Sequence, residues 1–409
     1  MSAPHTESAP RQGDQVLGPR AGRWATPALA VGVLGLAAAL GLGWQRGDGF
    51  SRLQHSWLVA CAFFLTLSLG GLFFVIIQHL TRAGWSVVVR RVAELVAANT
   101  AVVALLFAPL VLGVLLSNDG LYPWADAERV HGNPLLSAKA AFLDPRFFAA
   151  RCIVYFAVWW LLGRWLLARS TEQDRVSGPE PTLALERRSA PAMAAFALSL
   201  NFAGFDLIMS VNPTWYSTIF GVYIFGGSVM SFFAAAVLAL RFLQSRGFLT
   251  REVSVEHYHD LGKFLFAFVF FWGYIAFSQF MLIWYADLPE ETFWFKTRME
   301  GPWAAVSWVL LFGHFVLPFL GLLSRHAKRR LALLTLWAVW LLAMHAVDLF
   351  WLVMPSAETS GVLVSPMDLA SFAAVGGFWI FSLLRLARGR SLLPVGDPRL
   401  PQSLAFENF

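Results

Sequence analysis

Long apolar runs separated by short polar breaks make up most of this chain. A hydrocarbon core about 30 Å thick needs roughly 20 helical residues to cross it. Runs of that length predict ten spans, at about 25–44, 57–77, 94–116, 147–167, 190–210, 216–240, 264–285, 302–323, 331–353 and 367–387. Glu94, Asn99 and Pro109 interrupt the third. Two spans leave the apolar layer in a similar way, as FFVIIQHLTRAGW and HFVLPFLGLLSRHAKRR. The expected fold is an all-α polytopic membrane domain over 25–387, with four-helix bundles at 57–210 and 216–353 and a flanking helix on either side. Residues 1–24 are polar and expected to be a disordered tail, and 388–409 a second tail.

Composition supports a membrane solvent. Hydrophobic residues make up 57% of the chain and charged residues 14%, against roughly a quarter charged in ordinary soluble domains. The net charge of +6 does not indicate nucleic acid, because the basic residues flank apolar runs. Arg82, Arg90, Arg91, Arg164, Arg169, Arg241, Arg325, Arg329 and Arg388 fall on the side of both termini, which the positive-inside rule makes cytoplasmic. Cys61 and Cys152 lie within apolar runs, and no C-x-x-C or haem-attachment spacing occurs. This chain is therefore expected to bind no covalent haem or iron–sulphur cluster, and any such cofactor would belong to another chain.

Ionisable residues inside a span cost roughly 2.5–3.5 kcal/mol on insertion scales, so they mark a partner, a cavity or a function. Asp206, Gln279, His345 and Asp348 fall in the extracytoplasmic half by this topology, with His314 near mid-membrane. His345 and Asp348, three residues apart, share a helix face. A carboxylate that fixes an imidazole tautomer beside it could accept a proton from a quinol head group, or serve a proton path. Snorkelling, loop capping and helix packing are the competing roles for each residue alone. A bis-histidine haem on His314 and His345 is disfavoured by their differing expected depths. On the cytoplasmic side, His79, Glu94, Glu256, His259 and Asp260 would stand at a proton entry. The run Glu256 to Asp260 is read as an interfacial turn, with metal binding as the lesser alternative and no metal expected. The loop after span seven, with Asp287, Glu290, Glu291, Trp294 and Arg298, is acidic and aromatic and suits a docking surface for an outside partner.

YIAFSQFMLIWYADLPEET (Tyr274 to Thr292), followed by Arg298, Gly301 and Trp303, resembles the F subunit of alternative complex III. So do the stretches Gly204 to Phe225, Ala83 to Glu94, His314 to Arg329 and His345 to Pro355, and the similarity runs from about Phe50 to Leu386. The resemblance implies a subunit of a bacterial quinol-oxidising respiratory complex in the inner membrane, related to polysulphide-reductase-type membrane subunits. It implies no redox cofactor in this chain, with proton movement or quinone binding as its role. The implied partners are a sister membrane subunit of the same fold, an iron–sulphur subunit and c-type haem subunits docked on the outer face. A purely structural anchor and a secondary transporter are the alternatives.

Overall fold

The computed structural model describes residues 15–176, 178–358, 361 and 364–408. Ten helices among them are long and apolar enough to cross a membrane: α1 Pro19–Arg46, α2 Ser51–Leu80, α3 Val87–Leu115, α4 Pro145–Gln173, α5 Glu180–Val211, α6 Phe220–Ser245, α7 Val255–Ala286, α8 Trp303–Leu323, α9 Leu331–Ser356 and α10 Pro366–Ala387. The protein is an all-α polytopic membrane protein. No β-strand occurs among the described residues; Val16 and Ser391 form an isolated antiparallel bridge.

Helices α2 and α6 are the most buried and form the axis of the molecule. Helices α3, α4 and α5 gather around α2, and α7 and α9 around α6, with α8 packed on α7 and α9. With no hydrophobic drive between helices in lipid, close backbone approach supplies the packing. At the axis Gly70 permits it: a Cβ there would lie 2.2 Å from the Ser228 carbonyl oxygen. We expect Gly70→Ala to force α2 and α6 apart and to lower the thermal unfolding midpoint in detergent, whereas Ala on the exposed face of α1 should leave it unchanged. The outer pair, α1 and α10, packs along its length on a small-residue seam where Gly377 meets the backbone of Gly32. This pair reaches the core through α10 against α2.

Several boundaries differ from the hydropathy reading. Helix α3 begins at Val87, not near 94, and its break falls at Asn99, whose side-chain amide donates to the Trp379 carbonyl at 2.9 Å. Pro109 stays inside the helix. Helix α7 begins at Val255, so Glu256 to Asp260 form its first turns, not a separate interfacial turn. The segment expected to be a disordered tail is folded over residues 15–24, with Gln15 and Leu17 buried and α1 starting at Pro19; residues 1–14 lie outside the described residues. Nor is 388–408 a loose tail. Leu392, Leu393, Asp397 and Ser403 are buried, and Ser403 Oγ donates to the Trp85 carbonyl at 2.6 Å. The chain after α10 is a strap across the helix ends.

The long loop after α3 folds back on its own chain. Tyr122 and Trp124 are buried and donate to the carbonyls of Leu207 (2.8 Å) and Ser210 (3.0 Å). Those carbonyls sit where α5 widens into a π-turn at Gly204–Ile208 and then tightens, which disrupts the regular ladder and frees acceptors.

Candidate functional site

On α9 the three-residue spacing turns His345 and Asp348 toward the interior, and both are about 1% exposed. Asp348 accepts hydrogen bonds from the Tyr223 hydroxyl and from Trp272 Nε1, the latter at 3.2 Å. Neither donor carries a charge, and Asp348 has no ion pair among the described residues. His345 does not share that carboxylate. Its Nε2 stands 2.9 Å from Thr66 Oγ1, and its Nδ1 has no protein partner. The expected carboxylate–imidazole pair is therefore corrected: adjacency on a helix face placed both side chains, but Tyr223 and Trp272 occupy the carboxylate.

His314 joins this cluster. It lies in a π-helical stretch, Leu310–Val316, ahead of Pro318, with its ring 4.0 Å from that of Trp272 and 6.4 Å from that of His345. The two rings are near neighbours despite the difference in depth expected from the sequence. Counting depth by a uniform rise of 1.5 Å per residue misplaces a helix that widens and then meets a proline. Both nitrogens of His314 lack a protein partner.

Beside the cluster opens an apolar cavity of about 440 Å³ between α7, α8 and the short helix Pro289–Met299. Its polar groups are few: Gln279, Ser307, and the Tyr223 and Trp272 side chains that hold Asp348. Gln279 is 5% exposed and its Oε1 has no partner. Phe277, Trp308 and Leu311, all exposed, flank the mouth, which faces the lipid side of the bundle. An apolar slot with a few convergent polar groups is the usual form of a small-molecule site.

Asp206 lies in a separate arrangement. Its carboxylate takes a bidentate pair from Arg151 (2.7 and 2.8 Å) and a hydrogen bond from the Tyr155 hydroxyl (2.6 Å). It is a satisfied interhelical clasp between α4 and α5, so the expected grouping with Gln279, His345 and Asp348 is corrected.

The supposed proton entry also divides. Glu94, fully buried, accepts from Arg90 Nε and Arg91 Nε at 3.0 Å each. Arg90 continues to Asp397 in the strap, and Arg91 to Asp174 at 2.8 Å. Glu256 pairs with Arg329, and Asp260 with Lys263. His79 is buried with neither nitrogen partnered, and His259 Nδ1 is likewise unpartnered. No hydrogen bond among the described residues links these groups to the His345 cluster.

The docking loop is half corrected. Asp287 and Glu290 are exposed and Glu291 partly so. Trp294 and Arg298, four apart on the short helix, face inward and are 3% and 1% exposed. Trp294 stacks on Trp215 with ring centroids 4.3 Å apart. Arg298 lies 3.5 Å over the Trp294 ring and donates to the carbonyls of Trp351 (3.2 Å) and Leu352 (2.9 Å) near the end of α9. Burial pushes its guanidinium well below its ordinary value, and no ion pair to a described carboxylate offsets this. An amphipathic turn hides the two residues that composition alone places on the surface.

Residues missed by the hydropathy reading carry much of the polar chemistry. Tyr223, Trp272 and Thr66 read as ordinary members of apolar spans. Arg52 clamps Asp368 through two 2.8 Å contacts between the starts of α2 and α10. Arg52 and Arg151 each stand near a helix start, where a basic residue reads as a topology anchor. No protein-family model matches the chain, and no curated protein matches it either.

Proposed function

We propose that this chain is a membrane subunit of a quinol-oxidising respiratory complex of the alternative complex III type, and that its lipid-facing cavity receives a quinone head group. The observation that carries this reading is the cavity's polar floor: Tyr223 and Trp272 line it, and both donate to the buried Asp348. A quinone or quinol needs an apolar slot for its tail and hydrogen-bonding groups at its head. Gln279, with a free amide oxygen, would hold one head-group oxygen. Tyr223 would lie between the head group and Asp348, which takes the proton. Thr66 and the paired histidines extend the polar interior beyond Asp348.

The quinone chemistry itself removes two electrons and two protons. This chain would bind, orient and deprotonate, and the electrons would pass to iron–sulphur and c-type haem centres on partner subunits. The exposed carboxylates Asp287 and Glu290 at this end suit contact with those partners. In this reading the membrane is a bacterial inner membrane, both termini are cytoplasmic, and a sister membrane subunit packs alongside.

The test uses the assembled complex. Asp348→Asn should leave assembly intact and reduce quinol oxidation or the protons released per electron. Gln279→Leu, which removes one hydrogen bond of roughly 1 kcal/mol, should weaken quinone binding about fivefold. Unchanged turnover, stoichiometry and affinity in both variants would reduce the cavity to a packing defect and leave the subunit an anchor.

A further inference from the structure

We propose that the groove between α3, α4 and α10, at the helix ends crossed by the strap, binds the phosphate of an anionic phospholipid with its acyl chains running along α4. The groove is larger than the Gln279 cavity, about 710 Å³, and the two share no lining residue. Its upper rim carries three guanidinium groups, Arg164, Arg175 and Arg390. None of the three has an ion pair with a carboxylate among the described residues. The two carboxylates that line the groove are already taken, Glu172 by Arg169 at 2.7 Å and Asp174 by Arg91 at 2.8 Å.

The cations also crowd one another. Arg390, just past the end of α10, donates from Nη1 back to the Leu386 carbonyl, and Arg164 rests over the Trp160 ring at 5.5 Å. Burial, and then the like charges of Arg91 and Arg164, push the Arg390 guanidinium down. Half-buried Arg390 and exposed Arg164 and Arg175, with no ion pair among the described residues, suit a phosphate, and Arg fits it by its planar fork of donors.

Below the rim the wall changes character. Ala101, Trp160 and Leu386 make it apolar, and Trp160, 38% exposed, lies near the midpoint of Pro145–Gln173, at the depth of acyl chains. A free anion would have no use for this lower half, whereas an amphiphile fits both halves. Basic pockets between membrane helices recognise anionic lipid headgroups by this combination.

The chain purified in neutral detergent provides the test. Phosphatidylglycerol mixed micelles should raise its unfolding midpoint more than phosphatidylcholine micelles or inorganic phosphate at equal concentration. Arg164→Gln/Arg390→Gln should keep the phosphatidylcholine midpoint and weaken phosphatidylglycerol binding about thirtyfold. Should that variant fail to fold, Arg175→Gln, at an exposed position, carries the same test with about a fivefold loss. Equal response to the two lipids, or an undiminished response in the variants, would overturn the site. A rise with inorganic phosphate equal to that with phosphatidylglycerol would overturn the lipid as occupant.

Discussion

Replacing Glu94 by Gln is expected to cost about 3–5 kcal/mol of stability, the usual penalty for leaving a buried charge without its partner. Glu94 is wholly buried and one carboxylate serves two guanidinium groups, Arg90 Nε and Arg91 Nε, at 3.0 Å each. Gln keeps the shape and one acceptor oxygen, but presents an NH2 to a guanidinium that can only donate. Asp397 and Asp174 remain as counter-ions, so the two arginines are not stripped entirely. The measurement is reversible unfolding in a fixed detergent. Asp397→Asn should cost less than Glu94→Gln, because it releases one contact to Arg90 and not one to each arginine. A Glu94→Gln protein as stable as wild type would show that the network is hydrated and only nominally buried.

Arg298→Met should be the next largest effect, about 2–4 kcal/mol, since hydrogen bonds from a charged donor contribute roughly 1.5–3 kcal/mol and the carbonyls left behind stay buried. Met fills most of the aliphatic volume, so the loss reports the donors to Trp351 and Leu352 and the stacking on Trp294. Because Trp294 and Trp351 also wall the Gln279 cavity, the same substitution should loosen ligand affinity there. Arg298→Lys should recover little, as a single ammonium cannot span two carbonyls in the fixed fork of a guanidinium. Tryptophan fluorescence of the Trp215–Trp294 stack offers a local readout beside the global midpoint.

The parts of the structure that were legible in the sequence are those governed by composition and by a single helix. The ten spans followed from apolar length, and the shared inward face of His345 and Asp348 from a three-residue spacing. Partners across helices were not legible. Arg151 and Asp206 are 55 residues apart, Tyr223 and Asp348 125, and no local pattern joins them. Arginine near a span end has two physical fates, a headgroup anchor or a buried counter-ion, and both leave the same mark in a hydropathy trace. That is why Arg90 and Arg91 read as topology signals although they sit in the interior. Trp294 and Arg298 failed for a different reason: eleven residues of short helix have two faces, and overall acidity describes only the outer one.

The strap also has a consequence in time. Arg90 is made 307 residues before Asp397. At 5–20 residues per second, roughly 15–60 s separate the arginine from its counter-ion during synthesis. Throughout that interval Arg90 has Glu94 as its carboxylate, shared with Arg91, while Arg91 can already reach Asp174. A ribosome that stops after Ala387 but before Asp397 would release all ten spans with Arg90 lacking that counter-ion and the seam under the strap open. Such a chain differs from the finished protein mainly at that seam, which gives a membrane protease a direct way to distinguish incomplete molecules from complete ones.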